Sequence, residues 1–295
     1  MPSLSRMPSF ADARPYCSDR VLRGLVRIGR LMSSFVTSDG CRVNFELIGS
    51  GPALLFFNGS GASIALSRPL IDIFARSFTV LVHDQRGLGE SDVPEGPYSM
   101  ARYASDGWEL VRHVGWNECL VFGISFGGMV AQEFACTHPR AVRRMVLACT
   151  SPGGEGGSSY PLETLVDLPA EERGRLMVTI VDSRFDDEWF ESHPQDRVFV
   201  APRAELTGSA AIGYRRQLEA RRHHDVWDRL TLVDCPTLVT SGTYDGIAAP
   251  ANGRAIASRI PRSEFREYVG GHMFMFQDSR ALPDMMEFLS TKENS

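Results

Sequence analysis

Apolar residues in this 295-residue chain recur as short unbroken runs separated by stretches with helical spacing. Ala53–Phe57 is a continuous apolar run, and Phe78–Val82, Cys119–Ile124 and Met145–Cys149 are predominantly apolar, the pattern of strands buried on both faces. Between them, Ile64–Arg76, Ser99–Val114 and Met129–Thr137 repeat as helices do, with Tyr103, Leu110 and Val111 facing inward in the second. An alternating segment, Cys41–Ile48, precedes the first run and ends in the turn Gly49-Ser50-Gly51-Pro52. Strand and helix in this order predict an α/β fold, a mostly parallel sheet covered by helices on both faces.

The rhythm stops after Cys149. Gly153, Gly154, Gly156 and Gly157 lead into a segment, Tyr160–Arg229, that reads as helices without a buried strand. The strand–helix pattern returns with Pro236–Ser241, Pro250–Arg259, Glu264–Val269 and Leu282–Leu289. The predicted organisation is an α/β core over residues 32–151 and 230–295, with a helical lid over 152–229 inserted after the sixth strand. The glycines at its start would let that lid move. Residues 1–31 form a basic extension, with Arg6, Arg14, Arg20, Arg23, Arg27 and Arg30 against Asp12 and Asp19. The extension lacks the apolar centre of a secretory signal and is expected to be loosely ordered.

Composition narrows the class. A net charge of -5 offers no electrostatic footprint for nucleic acid or an anionic membrane. No apolar stretch is long enough to span a bilayer. The six cysteines, Cys17, Cys41, Cys119, Cys136, Cys149 and Cys235, form no C-x-x-C pair and several lie inside apolar runs. They are read as buried free thiols of a cytoplasmic protein rather than as disulfides or metal ligands. A homo-oligomer is left open.

Candidate chemistry sits where predicted strands end. Gly123-Ile124-Ser125-Phe126-Gly127 has the form G-x-S-x-G, with a buried strand before it and an apolar helix after it. In that setting a serine is forced onto a sharp turn that exposes its hydroxyl. A serine hydroxyl needs a base. Among seven histidines, His272 follows the last predicted strand behind Gly270-Gly271, at the same sheet edge as Ser125. His83 ends a strand, where a supporting role is simpler, and His113, His138, His193, His223 and His224 lie in helical or surface-like segments. The base needs a carboxylate, and Asp245 follows the strand Pro236–Ser241. Its rivals, Asp84 and Asp92, sit beside Arg86 and in a glycine-rich turn, where ion pairing or turn capping accounts for them. The oxyanion requires two preset donors. One is the Phe126 amide; the other is assigned to Ser60 within Asn58-Gly59-Ser60-Gly61, with Gly61 as reserve.

These pieces together resemble the α/β-hydrolase superfamily, specifically the branch of 3-oxoadipate enol-lactonase-like esterases, non-haem haloperoxidases and related lid-bearing hydrolases. The resemblance rests on Asn58-Gly59, Asp84-Gln85-Arg86-Gly87-Leu88-Gly89-Glu90-Ser91, the Ser125 motif, Gly242-Thr243-Tyr244-Asp245 and Gly270-Gly271-His272, and it extends from about Ser33 to Leu289. The chain order Ser125, Asp245, His272 is the order of that superfamily. Asn58 departs from its usual histidine. Ser125 stands where dehalogenases and epoxide hydrolases of this fold carry aspartate, which argues against those activities. The resemblance implies neither cofactor nor metal.

The leading expectation is a serine hydrolase acting on a small to medium, mostly apolar ester or lactone through an acyl-enzyme. Trp189, Phe190 and Met273 are the expected substrate contacts, with Met177, Phe185, Phe274, Met275 and Phe276 adding apolar surface nearby. The alternatives are carbon–carbon bond hydrolysis of a diketone and, from another class, a ligand receptor that keeps the fold.

Overall fold

A computed structural model describes residues 30–201 and 205–291. The sheet is built from β1 (Arg30–Val36), β2 (Arg42–Gly49), β3 (Ala53–Phe57), β4 (Thr79–His83), β5 (Cys119–Ile124), β6 (Val142–Ala148), β7 (Thr237–Gly242) and β8 (Ser263–Tyr268), in the order β1-β2-β4-β3-β5-β6-β7-β8. The β1–β2 and β2–β4 pairs are antiparallel, and every other pair is parallel.

The continuous apolar runs follow from burial on two sides. Because successive side chains leave opposite faces of a strand, Leu54, Phe56, Val80, Val82, Leu120 and Phe122 point one way and Leu55, Phe57, Leu81 and Val121 the other. The first set packs against α1 (Arg68–Phe74), α8 (Phe274–Gln277) and α9 (Ala281–Ser290). The second meets α2 (Met100–His113), α3 (Phe126–Thr137) and α7 (Pro250–Arg259). Helices on both faces leave only the sheet ends open, and the strands' carboxyl ends gather the candidate residues at one of them.

Local chemistry sets the helix ends. α2 begins where predicted because the Ser99 side chain accepts from the Arg102 amide at 3.1 Å. α1 is shorter than the predicted Ile64–Arg76, for Pro69 lies in its first turn, where a missing N–H is harmless. The strand β1 has no counterpart in the hydropathy pattern. It is an edge strand held by backbone pairing to β2, with Phe35 buried and Met32 and Val36 exposed, so it shows no apolar run. It starts at Arg30, two positions before the expected boundary at 31/32, and the rest of the predicted extension, Cys17 included, lies outside the described residues.

Between β6 and β7 the chain forms α4 (Ala170–Val181), α5 (Asp187–Ser192) and α6 (Gly208–Arg222), with short 3-10 turns between them. Leu162, Leu165, Ile180, Val181, Phe185, Phe190 and Leu218 give this insertion a small apolar cluster of its own, joined by Ile247. Ala220, Val226 and Leu230 belong instead to the main core, so the chain has returned to the core before the expected 229/230 boundary. Departure and return are stitched together by a Gly153–Asp225 bridge and a Val226 amide bond to the Pro152 carbonyl at 3.0 Å. Gly153 has φ 73°, and a Cβ there would stand 2.0 Å from the His224 carbonyl oxygen. Close backbone approach accounts for this glycine. Among the described residues, no helix is long and apolar enough to cross a membrane.

Candidate active site

Ser125 lies between β5 and α3 with φ 55° and ψ -118°, and it and Cys149 are the non-glycine residues with positive φ among those described. Such a backbone costs about 1–3 kcal/mol and persists only where its surroundings enforce it. Here the Ser125 amide donates to the Ala148 carbonyl at 2.8 Å, and its carbonyl accepts from the Thr150 hydroxyl at 2.8 Å and the Gly128 amide at 2.9 Å. A Cβ on Gly127 would stand 2.1 Å from the Phe57 carbonyl oxygen, and one on Gly123 2.5 Å from the Gly127 oxygen. Both glycines of the motif are therefore steric necessities of the turn.

The His272 ring bridges the other two groups. Its Nε2 is 3.0 Å from the Ser125 Oγ and its Nδ1 2.8 Å from the Asp245 Oδ2. An ionised carboxylate only accepts, so Nδ1 carries the proton and Nε2 is free to accept from the serine hydroxyl. The second Asp245 oxygen accepts from the amides of Ile247 at 2.8 Å and Ala248 at 2.9 Å, which fix the carboxylate's orientation. All three residues are buried. The Cys149 sulfur lies within 4.8 Å of the ligand atoms of Asp245 and His272. Burial, reinforced by the Asp245 charge, pushes its thiol well above the ordinary range, so it stays a neutral neighbour.

The two oxyanion candidates, Phe126 and Ser60, both lie next to Ser125 or the loop that backs onto it. Phe126 opens α3, where an amide has no intrahelical acceptor, and its ring is held edge-on against Tyr103 at 5.1 Å. Gly59 backs onto Ser125, its Cβ position 3.6 Å from the Ser125 Cβ, and Ser60 follows with a buried, unpartnered hydroxyl. The reserve donor is occupied: the Gly61 amide donates to the Gln217 Oε1 at 2.8 Å.

The competing residues have other occupations. Asp84 accepts from the Ile64 amide, the Asn44 side chain and the Glu90 amide, and Asp92 caps the Arg42 amide and pairs with its guanidinium. His113 stacks on Phe35, His138 on Trp108 and His193 on Trp189, while His223 faces Glu219. His83 and His224 are fully enclosed, and burial pushes both down to about 4, which keeps them neutral.

The expected substrate contacts separate. The Trp189 ring lies 4.0 Å from that of His193, under the Arg184 guanidinium at 4.3 Å, and its N–H donates to Asp196 at 2.9 Å. Phe190 is buried against Phe185 at 4.9 Å. Both rings are taken up within the insertion. Met273, next to His272, packs against the insertion's apolar cluster at its seam with the core, whereas Phe274 and Met275 are core residues.

Several polar residues that no motif marks hold the loops that carry Asp245 and His272. The end of α4 touches both: the His272 amide donates to the Val181 carbonyl at 2.6 Å and the Gly246 amide to the Ile180 carbonyl at 3.0 Å. Asp182, fully buried, accepts from Gln277 at 2.9 Å, and Gln277 in turn accepts from the Gly271 amide at 2.9 Å. Asp182 is also held by a two-pronged Arg184 pair. These partners are separated in sequence by up to 95 residues, and polar side chains carry no periodicity that would have linked them.

A family model described as alpha/beta hydrolase fold matches residues 52–279, and the chain belongs to that family. It is 28% identical over 246 residues to the poly(3-hydroxyalkanoate) depolymerase of Ectopseudomonas oleovorans, covering 80% of this chain and 83% of that protein. It is 24% identical over 262 residues to 3-oxoadipate enol-lactonase 2 of Acinetobacter baylyi, covering 88% and 97%. A solved hydrolase from Pseudomonas aeruginosa matches with a TM-score of 0.74 at 27% identity, covering 88% of this chain and 98% of that one. With its family and relatives so named, the protein is a hydrolase.

Proposed function

We propose that this hydrolase cleaves a carboxylic ester or lactone through a Ser125 acyl-enzyme, with His272 as base and Asp245 as its orienting acid. The observation that carries the reading is the continuous hydrogen-bonded line from Ser125 Oγ through His272 to Asp245, with links of 3.0 and 2.8 Å, anchored on a strained turn. The Ser125 oxygen attacks the substrate carbonyl carbon as its proton passes to His272 Nε2. The carbonyl oxygen gains the electron pair and is met by the amides of Phe126 and Ser60. As the tetrahedral species collapses, His272 returns the proton to the departing alcohol oxygen. Water then repeats the sequence, releasing the acid and restoring Ser125.

The names of two relatives, a depolymerase of a polymer of hydroxy acids and an enol-lactonase, support an ester-type bond as the target. The helical insertion serves as a lid over this edge, because loops at strand carboxyl ends build the crevice in open α/β sheets. Met273, beside His272 and packed against the insertion's apolar cluster, favours a mostly apolar acyl group of small to medium size. Five free, buried cysteines among the described residues are consistent with a cytoplasmic setting.

Turnover of a p-nitrophenyl ester series, a lactone series and a set of diketones by purified protein tests the reading, together with fluorophosphonate labelling. Ester or lactone turnover, with the label on Ser125, is the expected result. Selective diketone cleavage would replace it with carbon–carbon hydrolysis, and no turnover with no labelling would leave a receptor.

A further inference from the structure

Gln217, on the α6 face that meets the core, is completely buried. A buried primary amide must place both its oxygen and its nitrogen. Its Oε1 accepts the Gly61 amide at 2.8 Å, and its Nε2 donates to the Gln85 Oε1 at 3.2 Å. The Gln85 Nε2 then donates to the Asn58 carbonyl at 2.9 Å. One end of this relay is a backbone N–H and the other a backbone C=O, so neither side chain can flip without losing its bonds at both ends.

Asn58 and Gly61 bracket Gly59 and Ser60, the loop that backs onto Ser125. The relay thus grips both ends of the loop that carries the Ser60 amide. The rest of the same helical face leaves little slack. A Cβ on Gly213 would stand 1.9 Å from the Gly87 carbonyl oxygen, and one on Gly61 3.0 Å from the Tyr214 ring. The helix is thus seated against both the Gly87 turn and the Gly61 end of this loop.

We propose that Gln217 is a positioning residue for the oxyanion loop, so that the insertion sets the donor geometry at Ser60 as well as covering the site. The inference rests on the acyl-enzyme reading above. Loss of the relay frees the Ser60 amide to turn from the developing oxyanion, and losing one such donor costs about 10²–10³-fold in kcat. An amide aligned for oxygen also discriminates against the larger, more weakly accepting sulfur of a thionoester.

The test measures kcat, KM and the ratio of oxo- to thionoester kcat/KM for matched p-nitrophenyl substrates. Gln217→Met fills the same volume without the bonds. It should lower kcat on the order of 10²-fold, shift KM far less and reduce the oxo/thiono ratio. Gln85→Met, on the core side, should act in the same direction, the double variant should be no worse than the stronger single one, and Glu219→Ala on the outer face should match wild type. If Gln217→Met does not fold, Gln85→Met carries the test. Wild-type kcat in the Met variants, or a loss of kcat with an unchanged ratio, overturns the proposal, because a smaller folded fraction slows both substrates equally. Ser125→Ala, assayed alongside, separates the two levels: if it retains turnover, the acyl-enzyme reading itself fails; if it is inert, the behaviour of the Met variants bears on Gln217 alone.

Discussion

The α/β core and the helical insertion are held by different means. The largest fully buried side chains, among them Phe56, Phe57, Phe74, Phe122, Phe126 and Phe134, all belong to the core. Phe122 alone meets Phe56 at 4.9 Å and Phe74 at 4.6 Å between ring centroids. The insertion has a smaller cluster and leaves Val198, Leu206 and Ile212 exposed. What ties it down is partly polar: Asp182 and the Ile180–Val181 carbonyls at the acid and base loops, and Gln217 at the Gly61 amide. Apolar burial is non-directional, whereas hydrogen bonds weaken steeply with angle and distance. The core therefore supplies most of the apolar burial, and the insertion is fastened by hydrogen bonds to the loops that carry Asp245, His272 and Gly61.

The largest effect lies on the core side of this division. Ser125→Ala should reduce kcat by at least about 10⁴-fold and Asp245→Asn by roughly 10³–10⁴-fold, with the melting transition of both kept. Steady-state kinetics and calorimetry on the same samples check this, and an active, folded Ser125→Ala protein would falsify the mechanism.

Stability should divide the other way. Phe122→Ala opens a hole in the aromatic centre of the core and is expected to cost about 3–5 kcal/mol in urea unfolding. Phe185→Ala removes an equal ring from the insertion's smaller cluster; if that cluster opens locally, its global midpoint should fall much less while amide exchange quickens in α4 and α5. Equal losses would mean that the two regions unfold as one.

Acid sets a third contrast, between His83 in the core and His224 where the insertion rejoins it. Both are held neutral down to about 4 by burial, against an ordinary value of 6.5. Above about pH 6.5 neither form of the protein protonates them, and the native state keeps its full advantage. As the pH falls through 6.5 towards 4 the unfolded chain takes up protons that the native chain refuses, so stability declines by a few kcal/mol. Urea midpoints between pH 7 and 4 should show this slope, and His83→Gln and His224→Gln should each flatten it. A variant that leaves the slope unchanged would clear that histidine of any part in acid sensitivity.

Asp182→Ala should loosen the His272 loop through Gln277 and lower kcat by roughly 10–100-fold, since a misplacement near 1 Å at a reacting group is worth on the order of 10². Asp182→Asn, which still offers Gln277 an acceptor, should recover part of the loss. Identical kinetics for the two variants would show that the Gln277 link is unimportant. The smallest effect is expected at the seam: Met273→Ala should change kcat/KM by ~2–10-fold, unequally across acyl chain lengths, in line with the small worth of a few methylenes in an apolar pocket. A uniform change would remove Met273 from the specificity surface.

What the amino-acid order settles by itself follows from local rules. Short apolar runs bounded by turn residues and alternating with helical spacing read as strands buried on both faces, so the alternating α/β fold was readable from them. Gly123, Ser125 and Gly127 form a turn whose sterics require those residue types. His272 and Asp245 stood out because each follows a predicted strand at the shared edge, and the structure places both in the hydrogen-bonded line with Ser125. The edge strand β1 escaped notice there because backbone pairing leaves no mark on hydropathy. The glycines at the start of the insertion suggested freedom, yet Gly153 answers to the close approach of the His224 carbonyl. Tertiary structure alone decided that Gly61 is engaged by Gln217, 156 residues away, and that Gln277 meets Asp182 across 95. A glutamine or aspartate that will be buried reads in sequence like one that stays in water, because the bonds that permit its burial are made by partners the fold brings to it.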